Sequence, residues 1–361
     1  MDATQPPPSL RHDMVDRLGP AAPVEQKRIN LALQGGGAHG AFTWGVLDRL
    51  LDDPRIAIDG VSAGSAGAIN AAVMTYGFAV GGRDGAKHAL AGFWRRLSHT
   101  ASMGLFQPTC FDRAIDNYSL SWSPVFLVLD LVTRLFSPYQ FNPLNHNPIR
   151  DVLIASVDFD ALRKSDCQIK LFLSATNVRT GKVKVFENKD ITVDSVLASA
   201  CLPHMFQAVE IDGEHYWDGG YMGNPALFPL IYNCNSQDIV IVHINPIHRE
   251  ELPRTASEIL NRVNEISFNS SLMREMRVIN FVTRLIDERR VTDGSLRRML
   301  IHSIAADDEM TKLSIASKLN CDGNFLTLLR DTGRRVTETW LTDNFDKLGH
   351  ESTVDIQKQY M

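Results

Sequence analysis

The hydrophobic positions near the start of the chain alternate between short apolar runs and helical periodicity. Residues 29–33 form an apolar run that stops at three glycines, which predicts a strand. Phe42, Val46 and Leu50 then recur at helical spacing. The pattern predicts a strand at 29–33, a helix at about 40–51, a strand at 55–61 and a helix at 66–74. This alternation indicates a parallel sheet with helices on its faces.

Later segments extend this pattern and then change character. Asp212-Gly213 lies between two β-like runs and predicts a hairpin turn. Beyond Pro253, Thr255 and Glu258 fit a capping box, and the chain becomes mainly helical. Further strands are expected at 168–175, 182–186 and 238–244. We expect three parts, namely a disordered arm at 1–27, a catalytic domain at 28–250 and a helical C-terminal extension at 251–361.

Composition narrows the class of protein. Hydrophobic residues make up 44% of the chain, enough for an ordinary core, and the net charge of −5 disfavours a nucleic-acid partner. The N-terminus lacks the apolar core of a signal peptide, and the five cysteines form no CxxC pair, so we expect a reducing, cytoplasmic location. The longest apolar run, 125–136, is too short to span a bilayer, which leaves peripheral membrane contact.

The glycine-rich segment 35–40, with the sequence GGGAHG, lies between the first strand and the first helix. Backbone N–H groups there can turn toward an anion, which suits a phosphate cradle or an oxyanion hole. Gly35, Gly37 and Gly40 satisfy GxGxxG, and Asp59 follows at the distance of a ribose-binding acid. A nucleotide-binding module is therefore one hypothesis.

A second small-residue turn, GVSAGSAG at 60–67, follows the next strand and precedes a helix. This is the arrangement of a nucleophile elbow, which exposes a serine hydroxyl on a sharp turn. Ser62 fits GxSxG literally, whereas Ser65 lies between Ala63 and Gly67 and lets the helix start at Ala66. Helix placement favours Ser65 slightly, because Ser62 would put two glycines into the first helical turns.

Four segments resemble the sequence blocks of patatin-like phospholipases. They are Leu33-Gln34-Gly35-Gly36-Gly37-Ala38-His39-Gly40, Gly64-Ser65-Ala66-Gly67-Ala68-Ile69-Asn70-Ala71, Ala198-Ser199-Ala200-Cys201-Leu202-Pro203 and Trp217-Asp218-Gly219-Gly220. The resemblance covers about residues 28 to 245. It departs from the family at Ala63, where glycine is usual, and at His39, where arginine or lysine is frequent.

The resemblance implies a three-layer α/β/α sandwich with a mostly parallel central sheet and a Ser65–Asp218 dyad. The implied oxyanion hole consists of Gly35, Gly36, Gly37, Ala38 and Ala66. Among the histidines, His204 and His215 are the best candidates for a base. Both suit a structural or exposed position better than a catalytic role. The expected function is hydrolysis of acyl esters of phospholipids or lysophospholipids, without metal or cofactor. An inactive, lipid-binding relative is the other alternative.

Two further segments could meet lipid. The apolar stretch from Trp122 to Phe136 could form a lid or an acyl-chain wall, and a core helix is an equal alternative. Arginines are frequent in the C-terminal part and could attract an anionic membrane. Interleaved acids such as Asp287 and Glu288 favour a solvated helical face instead. The oligomeric state is open.

Overall fold

A computed structural model describes residues 26–102 and 124–361. Most of the predicted N-terminal arm, residues 1–25, and residues 103–123 lie outside the described residues. The strands are β1 (Lys27–Leu33), β2 (Ile56–Ala63), β3 (Lys170–Asn177), β4 (Val183–Glu187), β5 (Val209–Ile211), β6 (Glu214–Asp218), β7 (Asp238–Val242) and β8 (Leu300–Ile304).

The described helices follow the expected alternation with the strands. They are α1 (Gly40–Asp52), α2 (Ala66–Ser102), α3 (Pro124–Leu135), α4 (Pro138–Phe141), α5 (Pro148–Ile154), α6 (Phe159–Lys164), α7 (Val193–Ser199), α8 (Phe228–Asn233), α9 (Ala256–Asp287), α10 (Asp307–Met310), α11 (Gly323–Asn344) and α12 (Ile356–Tyr360). The second helix runs well beyond the predicted end near residue 74, with a break in helical geometry at Gly81 and Gly82.

The strands form one sheet that is mostly parallel. Hydrogen bonding runs in the order β5-β6-β3-β2-β1-β7-β8, and β4 also pairs with β3. The pairs β1–β2, β2–β3, β1–β7 and β7–β8 are parallel, whereas the pairs with β4, β5 and β6 are antiparallel. The predicted α/β class with a mostly parallel central sheet is confirmed.

Alternate residues of the central strands bury against two separate cores. Leu31 and Leu33 of β1 pack in a cluster with α1, α2 and α11. Ala32, between them, packs on the opposite face with residues of α8 and α9. Because successive side chains of a strand point to opposite faces, this division identifies the helix–sheet–helix layers of the sandwich.

A two-residue hairpin carries the end of β6 to the middle of the sheet. Asp212 and Gly213 both have positive φ, 53° and 77°, as this tight turn requires. Because β4 covers one edge of β3 over 172–176, β2 and β6 share the other edge. Because β2 pairs with residues 170–173 of β3 and β6 pairs with residues 175–177 of the same strand, the end of β6 lies next to the end of β2.

The C-terminal region is mostly helical, as expected, and it also adds a strand that the sequence pattern did not predict. The strand β8 pairs with β7 and extends the sheet. The helix α11 lies against α1 so closely that a Cβ on Gly45 would be 1.9 Å from the carbonyl oxygen of Arg330. Residues 251–361 therefore extend the sheet and contribute a helix to each of its two faces, α11 on one and α9 on the other.

The apolar stretch before residue 137 ends on the surface. Leu131, Leu135 and Phe136 are at least half exposed, at 57%, 65% and 50%. A core helix does not fit these described side chains, and Trp122 lies outside the described residues. No helix in ranges 26–102 and 124–361 is long and apolar enough to cross a membrane.

Candidate active site

A sharp turn separates β2 from α2, and Ser65 occupies it. The strand ends at Ala63 and the helix begins at Ala66. Ser65 has φ of 55°, a left-handed conformation that non-glycine residues adopt at a cost of about 1–3 kcal/mol. The strand, turn and helix of the predicted nucleophile elbow are therefore present, with a strained serine at the turn.

Glycines allow the elbow to pack against the glycine-rich segment. A Cβ on Gly35 would lie 2.3 Å from Cβ of Ser65. A Cβ on Gly67 would lie 2.5 Å from the carbonyl oxygen of Leu33. Neither position tolerates a side chain without movement of the backbone, so the two small-residue motifs of the sequence meet at Ser65.

Ser65 and Asp218 form a buried hydrogen-bonded pair. Ser65 Oγ donates to Asp218 Oδ2 at 2.6 Å, and Asp218 Oδ1 accepts from the N–H of Gly220 at 2.7 Å. Burial raises the pKa of Asp218 to about 6, against the opposing effect of these two hydrogen bonds. The carboxylate is thus anchored by one oxygen and faces the serine hydroxyl with the other.

The other candidates for nucleophile and base lie elsewhere. Ser62 is buried within β2 and its hydroxyl donates to the carbonyl oxygen of Ala226. His204 is exposed, and His215 faces Glu210 at 3.9 Å. Neither histidine is a hydrogen-bond partner of Ser65 in the described part of the chain.

The acid proposed for a ribose has a structural role. Asp59 lies within β2 rather than at its end, and its carboxylate accepts from the backbone N–H groups of Asn235 and Ser236. It also faces Arg28 at 3.7 Å. This geometry contradicts the interpretation of Asp59 as the ribose-binding acid of a dinucleotide site.

The backbone donors of the glycine segment divide into two groups. The N–H of Gly35 donates to Asn224 Oδ1 at 2.6 Å, so Gly35 is not a free donor, contrary to our expectation. Among residues 26–102 and 124–361, no acceptor is found for the N–H groups of the other four candidates, Gly36, Gly37, Ala38 and Ala66. These four N–H groups are therefore available as donors.

Sequence reasoning missed the residue that fixes the backbone of Ser65. The N–H of Ser65 lies 3.1 Å from both the carbonyl oxygen and the hydroxyl of Ser199. The same hydroxyl donates to the carbonyl oxygen of Ser174 at 2.6 Å. In the sequence, Ser199 belongs only to a segment that resembles the family, and its hydrogen-bonding role follows from tertiary structure.

A positive charge lies behind the glycine segment, and it does not come from His39. Burial lowers the pKa of His39 to about 3, and Nε2 is 2.7 Å from Ser317 Oγ. The next residue, Lys318, has a partly buried amino group close enough to influence the pKa of Asp218. Within the described ranges, no cluster of histidine, cysteine and acidic residues could hold a metal ion.

The buried charge of Asp218 makes stability depend on pH. The carboxyl pKa is about 4 in an unfolded chain and about 6 here. The folded state therefore holds the proton more tightly, and its stability falls as pH rises through this window. We predict that Asp218→Asn is more stable than the wild type by about 2–3 kcal/mol at pH 8 and nearly equal below pH 4.

Urea unfolding at the two pH values measures this difference. Asp343→Asn is the matched control, because Asp343 is an exposed carboxylate on α11. We expect the control to leave the free energy of unfolding within about 0.5 kcal/mol of the wild type at both values. Equal stabilities of Asp218→Asn and wild type at pH 8 would contradict a buried, charged Asp218.

Comparison with known proteins identifies the family. The family model described as "Patatin-like phospholipase" matches residues 31–231, more than half of the chain. No curated protein matches the chain. The crystal structure of VipD from Legionella pneumophila is similar over 86% of this chain and 67% of that one, at 15% identity and a TM-score of 0.35. The chain belongs to the patatin-like phospholipase family, which points to lipid acyl hydrolase activity.

Proposed function

We propose that the chain hydrolyses acyl esters of phospholipids or lysophospholipids, with Ser65 as nucleophile and Asp218 as base. The observation that carries this proposal is the 2.6 Å hydrogen bond from the strained Ser65 to the buried Asp218. A serine hydroxyl is a weak nucleophile until a base takes its proton. Family membership supplies the lipid substrate class, and the geometry favours these two residues within it.

The proposed reaction has two steps. Asp218 accepts the hydroxyl proton while Ser65 Oγ attacks the ester carbonyl carbon, and the proton then passes to the departing alcohol. Asp218 next takes a proton from water, whose oxygen attacks the acyl-enzyme, and returns it to Ser65 Oγ as the fatty acid leaves. A pKa of about 6 makes Asp218 a stronger base than an ordinary carboxylate.

The oxyanion that forms in each step would be held by backbone N–H groups of Gly36, Gly37, Ala38 and Ala66. This set omits Gly35, whose N–H is engaged by Asn224. Each well-placed donor typically contributes about 3 kcal/mol to lowering the barrier. The contact between Gly35 and Ser65 supports this assignment, because it sets the glycine segment against the turn that carries the hydroxyl.

The two alternatives fit the geometry less well. For a nucleotide-binding module, the glycine segment packs directly on the Ser65 turn and Asp59 is engaged by backbone. For an inactive lipid-binding relative, the hydrogen-bonded serine and aspartate would serve no purpose while Ser65 remains strained. Both observations favour the hydrolase.

We place the contact with the lipid surface on α9. Ile259, Val263 and Ile266 follow one another on one stripe of this helix and are 46%, 57% and 55% exposed. An apolar stripe of this kind on a surface helix suits the interfacial region of a bilayer. The same helix reaches the site, because Phe268 lies against Gly220 next to Asp218.

Charge along α9 favours an anionic bilayer. Arg274 and Arg277 are exposed. Together with several apolar residues, they line a cavity of about 240 Å³. The acidic residues nearby are turned inward, since Glu265 pairs with Arg249 and Glu275 accepts from backbone N–H groups. The outward face near the cavity is therefore basic, although the whole chain carries a net charge of −5.

Fluorophosphonate labelling tests the nucleophile. We predict covalent labelling of Ser65, because the probe is attacked by the activated hydroxyl and leaves its phosphonyl group there. Ser65→Ala should abolish labelling, and Asp218→Asn should slow it at least about 100-fold. Ser62→Ala is the matched control. It should label at close to the wild-type rate, because the hydroxyl of Ser62 donates to the carbonyl oxygen of Ala226 and not to Asp218.

Mass spectrometry of the labelled peptide and of lipid products from mixed phospholipids gives the readout. Labelling at Ser62, or fatty acid release by Ser65→Ala at the wild-type rate, would overturn the assignment of the nucleophile. A wild type that neither labels nor releases fatty acid, while it remains folded, would support the inactive relative.

Vesicle co-sedimentation tests the α9 surface. We predict tighter binding to vesicles that contain phosphatidylglycerol than to pure phosphatidylcholine, and at least about a tenfold loss for Arg274→Gln with Arg277→Gln. The control is Arg95→Gln with Arg96→Gln, which removes the same charge from the exposed end of α2. Equal losses for the two double variants would show that net charge alone governs binding and would contradict a specific surface.

A further inference from the structure

A lysine from the C-terminal region lies behind the glycine segment. Lys318 belongs to the 3₁₀ segment Ile315–Leu319, and its carbonyl oxygen would be 2.4 Å from a Cβ on Gly37. Its amino group donates to Asn245 Oδ1 at 2.9 Å and to Asn264 Oδ1 at 3.2 Å. The ammonium is thus held by neutral amides close to the backbone of the proposed oxyanion hole.

This contact fixes the orientation of the Asn245 amide. An ammonium group can only donate hydrogen bonds, so the amide oxygen must face Lys318 and the amide nitrogen must face away. Nδ2 of Asn245 donates to the carbonyl oxygen of Gly35 at 2.8 Å. Asn245 is fully buried, so its amide cannot exchange these partners for water without cost.

The carbonyl of Gly35 and the N–H of Gly36 belong to the same planar peptide and point in opposite directions. Because Asn245 holds the carbonyl on the side of Lys318, it directs the N–H of Gly36 to the other side. In the described ranges that N–H has no acceptor. Gly35 itself touches the turn of Ser65, so the directed N–H lies near the proposed nucleophile.

We propose that Lys318 and Asn245 are positioning residues that orient and polarise the Gly36 N–H as an oxyanion donor. The path runs from the ammonium through the Asn245 amide and the Gly35–Gly36 peptide to the developing oxyanion. Consecutive hydrogen bonds polarise one another in a buried setting, so the positive charge reaches the oxyanion without direct contact. This inference rests on the function proposed above.

The charges around Lys318 are consistent with such a role. Burial lowers the pKa of Lys318 to about 8, with a further lowering by Arg249 and against the opposing effects of Glu265 and Asp218, so the group is mainly charged at pH 7. A purely structural role in neutralising Glu265 is unnecessary, because Arg249 and Arg262 already pair with that carboxylate. His39, within the glycine segment, is neutral at this pH.

A double-mutant cycle on hydrolysis of a soluble short-chain ester tests the path. We expect Lys318→Met and Asn245→Ala each to lower kcat at least about tenfold while KM changes less than about twofold, because only transition-state charge is affected. The double variant should be no slower than Asn245→Ala alone, since Lys318 acts through Asn245. Lys312→Met, which changes an exposed lysine just before the 3₁₀ segment, is the control and should keep wild-type kcat.

A second variant keeps the test sharp if Lys318→Met folds poorly. Asn245→Asp retains an oxygen for the ammonium but cannot donate to Gly35, so we expect the same loss of kcat in a variant that circular dichroism shows to be folded. Wild-type kcat in either Lys318→Met or Asn245→Asp would overturn the proposal, as would losses that multiply in the double variant. If the wild type itself is inert, the proposed function fails and the path fails with it.

Discussion

The close contact between Gly35 and Ser65 is the constraint on which the candidate site depends. With only 2.3 Å between a Cβ on Gly35 and Cβ of Ser65, the glycine segment cannot carry a side chain there. The same contact sets one end of that segment against a serine in a strained, left-handed conformation. The small residues at 60–67 and at 35–40 therefore serve the same purpose. They allow two backbone segments to approach each other closely at the hydroxyl of Ser65.

The sheet brings Asp218 to this turn, because two strands occupy successive parts of one edge of β3. The end of β2 leaves part of the β3 edge open, and β6 occupies it in the antiparallel direction. Asp218, the last residue of β6, thus faces the turn that ends β2. Burying this carboxylate costs stability, and the hydrogen bonds from Ser65 and Gly220 offset only part of the cost. Such a residue is typical of functional sites, where stability is lost in return for reactivity.

Local signals predicted the parts of the site that local geometry determines. The turn at Ser65, the Asp212-Gly213 hairpin and the capping box at Thr255 all follow from backbone preferences within a few residues, and the structure has each of them. Strand β8 was not predicted, because its short run LIHSI lies in a mainly helical region and is specified by pairing with β7. Asn224 and Asn245, which bond to the glycine segment, are far from it in sequence, and so is Lys318, which bonds to Asn245. These hydrogen bonds could therefore not be inferred without tertiary structure.

The central claim is that Ser65 forms an acyl-enzyme. Rapid mixing with a chromogenic short-chain ester, followed by acid quenching and peptide mass spectrometry, measures it most directly. We expect a burst of alcohol equal to the enzyme concentration and an acyl group on the peptide that contains Ser65, absent in Ser65→Ala. Steady hydrolysis with no acyl group on Ser65, or an acyl group that persists in Ser65→Ala, would contradict it.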